Sequence, residues 1–184
     1  MQSVHKEIGE STGYDDLEKL ARNSVCDSII DVNDGVFAAP DSMTGVIRDF
    51  CLKKYSGGAG SIGNAGNTGN TGNAGHQAVP QNLGDFARCI FRSLAASYAD
   101  TIGNLQKLTG TVYKSINIIG GGSQNEYLNQ LTVESCGLPV YAGPAEGTAL
   151  GNIISQMIAL GTLSDVNAAR QLIQQSFDVK EYKL

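Results

Sequence analysis

No run of the sequence approaches the roughly 20 consecutive apolar residues that a membrane-spanning helix needs. The first ten residues, Met1 to Glu10, are polar rather than signal-like. Clustered positive charge is missing too. Thirteen Lys and Arg against eighteen Asp and Glu leave a formal net charge of -5, and the basic residues form no stripe that could follow a phosphate backbone. These absences predict a soluble, cytoplasmic protein with neither a membrane nor nucleic acid as partner. The four cysteines, Cys26, Cys51, Cys89 and Cys136, include no CxxC pair, and neither His5 nor His76 has ligand company. Reduced, largely buried thiols are expected, with Cys51 and Cys89 on the apolar sides of two predicted helices and so able to lie close together.

What is present suits one compact unit. With 184 residues, 41% of them hydrophobic, the chain has enough for one ordinary core and too little for two full ones. Composition divides it into residues 1–55, with two short helices, a Gly/Asn-rich insertion over 56–79, and a larger part over 80–184. Leu17, Leu20 and Ala21 keep a helical rhythm within Tyr14 to Val25. Ser42 is a good N-cap for a helix that carries Met43, Val46, Ile47, Phe50 and Cys51 on one face and ends near Tyr55. The tract that follows has almost nothing to bury, so ordering it would cost backbone entropy without return, and a flexible linker is expected. Its Gly58, Gly60 and Gly63 spell G-x-G-x-x-G with no strand before them and no helix after, which makes the match compositional.

Asn82 can cap a long helix whose apolar positions, Leu83, Phe86, Ile90, Leu94, Tyr98, Ile102 and Leu105, hold the helical period for about seven turns. Asp85 favours its start and Gly110 its stop. Ser115 to Ile119 reads as a buried strand. Gly120, Gly121, Gly122 and Ser123 then lead into a helix closed by Gly137, and Leu138 to Tyr141 returns as a second strand. Further helices are expected from Glu146 to Leu160, with Gly147, Gly151 and Ser155 forming a small-residue groove, and from Asp165 to Gln175 with Ser164 as cap, before a polar tail.

Three consecutive glycines between a strand and a helix leave main-chain N–H groups bare, so a flat or charged ligand can lie against the backbone. The positive helix N-terminus beyond them suits a nucleotide phosphate. Ser123, Gln124 and Asn125 add polar side chains at the same rim, and the Asn125 amide offers the donor and acceptor that a purine edge needs. Tyr98, Tyr127 and Tyr141, at helical or strand spacing, are expected in the core. Glu146 complements a helix dipole or helps hold a Mg²⁺-water shell, the former being favoured. A dehydrogenase-type dinucleotide module shares the strand, glycines and helix, but Leu138 to Gly143 carries no acid to take a ribose hydroxyl.

The string from Ile116 to Asn152 resembles the nucleotide-binding signature of the FGGY carbohydrate kinases. The resemblance rests on GGGSQN at 120 to 125, LNQL at 128 to 131, PVYAGPAEGTALGN at 139 to 152 and ARCIFRSLAASYA at 87 to 99, and it extends from Asp41 to Leu163 apart from the Gly/Asn tract. It implies an α/β chain, part of a ribonuclease H-like C-terminal domain of the actin, hexokinase and Hsp70 superfamily, helix-rich with a small sheet. By the same resemblance, Gly120, Gly121, Gly122, Ser123 and Asn125 bind ATP, with Mg²⁺, for transfer of the γ-phosphate to a ketose hydroxyl. The family keeps its catalytic aspartate and most sugar contacts further upstream. None of Asp15, Asp16, Asp31, Asp34 and Asp49 stands in that context, so no catalytic residue is assigned. The chain then resembles a C-terminal fragment, inactive without the missing N-terminal kinase domain and prone to self-association through exposed edges. The competing expectation is a non-catalytic remnant or interaction module that does not bind ATP.

Overall fold

The computed structural model describes residues 1–9, 12–56 and 78–184. Most of the Gly/Asn tract, including Gly58, Gly60, Gly63 and His76, lies outside the described residues. The fold is helix-rich with one small sheet. Length predicts one compact unit, whereas the chain divides into two, Met1–Ser97 and Tyr98–Leu184. Each has its own buried residues: Ile47, Leu83 and Phe86 in the first, Val133 and Val140 in the second.

In the first unit, α1 (Gln2–Ile8) is a short helix with Val4 as its one buried residue, and its polar sequence does not announce it. Helix α2 (Tyr14–Asn23) buries Leu17 and Ala21, four residues apart and hence on one face. Helix α3 (Met43–Ser56) buries Ile47 and Cys51 at the same spacing. Ser42 caps it as expected, its Oγ accepting from Gly45 N at 3.1 Å. The other free amides at that end go to α1: Glu7 accepts from Met43 N at 2.7 Å and from Thr44 N at 3.0 Å. The hydrogen bonds from Thr44 and Met43 to this exposed carboxylate hold its pKa down to about 2.

Helix α4 (Leu83–Thr109) begins with the reciprocal cap that its sequence predicts. Asn82 Oδ1 accepts from Asp85 N at 3.0 Å, while the Asp85 carboxylate accepts from Gln81 N at 3.0 Å and Asn82 N at 3.4 Å. Asp85 is buried, and Ser24 Oγ donates to it at 2.7 Å, which tolerates the charge where water is excluded. Leu83, Phe86, Cys89, Phe91 and Ala95 are buried. Each large apolar side chain enclosed this way stabilises the fold by about 1.5–3 kcal/mol. The predicted stripe does not stay covered, however: Tyr98 and Leu105 are exposed, and Tyr98 is therefore no core residue. Gly110, at φ +66°, ends the helix.

Cys26, Cys51 and Cys89 come together as free, buried thiols. Cys26 Sγ lies 3.1 Å from Ser28 Oγ, and Cys51 and Cys89 share a hydrogen bond. That bond favours ionisation at Cys51 and opposes it at Cys89, whose thiol burial also pushes up.

The second unit is built on three short strands in the order β1 (Ile116–Ile118), β2 (Val140–Ala142), β3 (Lys180–Tyr182). β1 and β2 are parallel, with Ile116 opposite Val140 and Ile118 opposite Ala142. Helix α5 (Glu126–Cys136) forms their crossover, burying Tyr127, Thr132 and Val133 and ending at Gly137 with φ +64°. β3 runs antiparallel to β2 and was expected only as a polar tail. β1, predicted to be buried, is half-exposed because it stands at the end of the sheet with a neighbour on one side. Helix α6 (Gly147–Ala159) has no buried residue. Helix α7 (Val166–Ser176) is capped by Asp165, which accepts from Asn167 N and Ala168 N, and not by the expected Ser164. Among the described residues, no helix is long and apolar enough to cross a membrane.

Candidate functional site

The glycine turn is set by pairing on both of its sides. Gly143 N donates to Ile118 O at 2.8 Å and Gly120 N to Pro144 O at 3.0 Å, which carries the ladder past the ends of β1 and β2. Gly120 then adopts φ +82°, open to glycine at no steric cost, and the chain leaves the sheet as a 3-10 turn over Gly121–Gln124. Ser123 is buried beneath this turn. Its N–H and its Oγ both donate to Gly120 O, at 3.0 and 2.7 Å, so the hydroxyl closes the turn from inside.

Asn129, one helical turn into α5, is fully buried and donates through Nδ2 to Ser123 O at 2.9 Å. Its Oδ1 has no partner among the described residues. The sequence reading missed this clamp, although a polar residue four positions after the helix cap, on the face that turns inward, is a usable signal. Asn125 is placed otherwise than expected: Oδ1 accepts from Leu128 N at 2.7 Å, so the carbonyl end of its amide caps α5. One half of the donor and acceptor pair meant for a purine edge is thus already used.

Gly121 and Gly122 are exposed, and a β-carbon placed on either would meet no atom within 4 Å. Main chain is therefore bare at the rim, as a flat ligand requires. A hollow of about 310 Å³ opens beside the turn. Ser123, Gln124 and Glu126 line one side, Gly143 the middle, and Lys180 and Tyr182 the other side. Gly143 suits its place twice: φ is +117°, and a β-carbon there would lie 3.0 Å from Asp178 O.

Lys180 is paired with Glu126 across the hollow and stands 5.6 Å from the centre of the Tyr182 ring. The hydrogen bond to Glu126 raises the Lys180 pKa above its ordinary value. Gln124 lines the hollow as a rim residue, as expected, whereas Glu126, Lys180 and Tyr182 were not singled out from the sequence. The last two sit in a segment whose charge makes it look like an unstructured end.

Tyr127 is buried as expected, and Tyr141 is half-buried with its hydroxyl donating to Glu181 Oε1 at 3.2 Å. Glu146 precedes α6 without a side-chain capping bond. His5 Nε2 accepts from Thr12 N at 3.2 Å. No group of three or more His, Cys, Asp or Glu suited to a metal ion occurs among the described residues.

The profile of the FGGY family of carbohydrate kinases, C-terminal domain, matches residues 37–160. Rhamnulokinase from Oceanobacillus iheyensis is 34% identical over 182 residues, covering 99% of this chain and 34% of the relative. The rhamnulokinase of Halalkalibacterium halodurans is 35% identical over 182 residues, again 99% of this chain and 34% of the relative. That of Bacteroides thetaiotaomicron is 38% identical over 155 residues, 84% of this chain and 28% of the relative. The chain thus spans about a third of the length of these curated relatives. Within the family, the sequence resemblance also points to rhamnulokinase.

Proposed function

The chain belongs to the FGGY family of carbohydrate kinases, and from that premise we propose that it supplies the ATP-binding part of a kinase for a ketose, L-rhamnulose. The single observation that carries this reading is the bare main chain of Gly121 and Gly122, which runs directly into Ser123 and Gln124 on the lining of an open hollow. A β-carbon would occupy the space where the face of an adenosine would rest. Gly120, Gly121 and Gly122 receive the nucleoside, Ser123 and Asn129 hold the turn in shape from below, and Asn125 keeps α5 starting at the rim. When bound, ATP supplies the phosphoryl group, and Mg²⁺ arrives on its phosphates rather than on a carboxylate cage in this chain.

Residues 80–184 carry this nucleotide-binding role in a ribonuclease H-like domain of a cytoplasmic enzyme. The catalytic base and most sugar contacts belong to the rest of the kinase, so the isolated chain is inactive. It also self-associates: β1 has one open edge, α6 has no buried residue, and Ile119, Ile153 and Leu160 are exposed. A monodisperse monomer in light scattering would contradict that part.

Calorimetric titration with Mg²⁺-ATP tests the core of the reading. Binding tighter than about 1 mM, roughly -4 kcal/mol, is expected. Weaker binding would favour a non-catalytic remnant of the same fold.

A further inference from the structure

The geometry points to the C-terminal strand as a wall of the nucleoside site: Lys180 and Tyr182 contact the ribose or base of a nucleoside lying on Gly121 and Gly122, with its phosphates directed outwards. This rests on the nucleotide reading above and adds which part of the ligand enters the hollow and which residues from the chain end touch it.

The hollow exists because β3 pairs with β2 and brings Lys180 and Tyr182 opposite Ser123, Gln124 and Glu126, the residues that follow the three glycines. Its volume, about 310 Å³, is at the lower end of ordinary small-molecule sites. Gln124, Glu126, Lys180 and Tyr182, which carry amide, carboxylate, ammonium and phenol groups, are among the residues that line it. That set offers donors and acceptors together, as hydroxyls and ring nitrogens require, and the half-buried tyrosine ring adds a flat apolar surface. A polyphosphate is the wrong occupant. Two acidic residues, Glu126 and Asp178, are on the lining, and the one cationic side chain there among the described residues, Lys180, already has its charge matched by Glu126, so it leaves no positive charge over for phosphates.

The test is NMR titration of the full 184-residue chain with adenosine and, separately, with Mg²⁺-ATP. Adenosine is expected to shift the Gly121 and Gly122 amides and the Tyr182 ring signals together. Lys180→Gln and Tyr182→Ala should weaken adenosine and ATP alike, by about five- to tenfold, the loss of one polar or ring contact. Lys180→Arg should retain most of the affinity, and an unchanged melt for Lys180→Gln separates lost contact from lost fold. If adenosine moves the two glycine amides while Tyr182 stays still, or if both substitutions leave affinity unaltered, the wall role fails and the nucleotide reading stands. Weakening of ATP without adenosine would overturn the orientation. If neither ligand moves a glycine amide, the nucleotide reading fails and the wall role fails with it.

Discussion

The carbonyl oxygen of Leu20 lies 2.7 Å from the point where a β-carbon on Gly84 would stand, so the last turn of α2 meets the first turn of α4 with no room for a side chain. Gly84→Ala would gain roughly 1 kcal/mol in helix propensity. The contact is with backbone, which cannot swing aside, and overpacking of this kind costs about 1–3 kcal/mol. The expected outcome is net destabilisation, read as a lower urea midpoint.

Glu7 joins α1 to the start of α3 through a carboxylate whose pKa is held at about 2. A carboxyl lowered on folding contributes in full above its ordinary value near 4.5, and the contribution fades as pH falls toward about 2. The Thr44 amide resonance should therefore titrate near the lower value and not near the ordinary one. Glu7→Gln should abolish that titration and make the first residues easier to cleave by a dilute protease.

Cys26, Cys51 and Cys89 are wholly buried, whereas Cys136 is half-exposed. In the native chain, a thiol reagent should label Cys136 first, and the other three should follow only when urea opens the fold. Rapid native labelling of Cys51 would show that the α3–α4 core opens far more readily than its packing implies.

Gly121→Ala separates stability from binding. The added methyl meets nothing within 4 Å, so the melt should change by no more than about 0.5 kcal/mol. The same methyl would stand between ligand and main chain, and affinity for Mg²⁺-ATP should fall by about tenfold or more. Equal affinity in both proteins would remove the glycine turn from the site.

Much of this was legible in the sequence because local chemistry and tertiary packing agree. The Asn82 and Asp85 cap, the buried positions Leu83 and Phe86 at the start of α4, and the strand, glycine turn and helix around Gly120 each follow from residues within a few positions of one another. Legibility ended where the partner is distant. Val4 alone could not mark α1 as a helix, since the contact that anchors it comes from Met43 and Thr44. Ser164 and Asp165 are both good caps, and only backbone geometry chose between them. Asn125 was read for its ligand chemistry and turned out to cap its own helix. The far side of the hollow was invisible because Lys180 and Tyr182 reach it through pairing with a strand 40 residues earlier in the chain.

The strand at the outer margin of the sheet carries Lys180 and Glu181, with Lys183 just beyond, all facing water. Charged margins resist the addition of another strand. Growth of the sheet is thereby left to one direction only, from β1. Two copies joined there by a twofold axis would leave only their two charged β3 margins unpaired, which disfavours a third copy and hence a fibre.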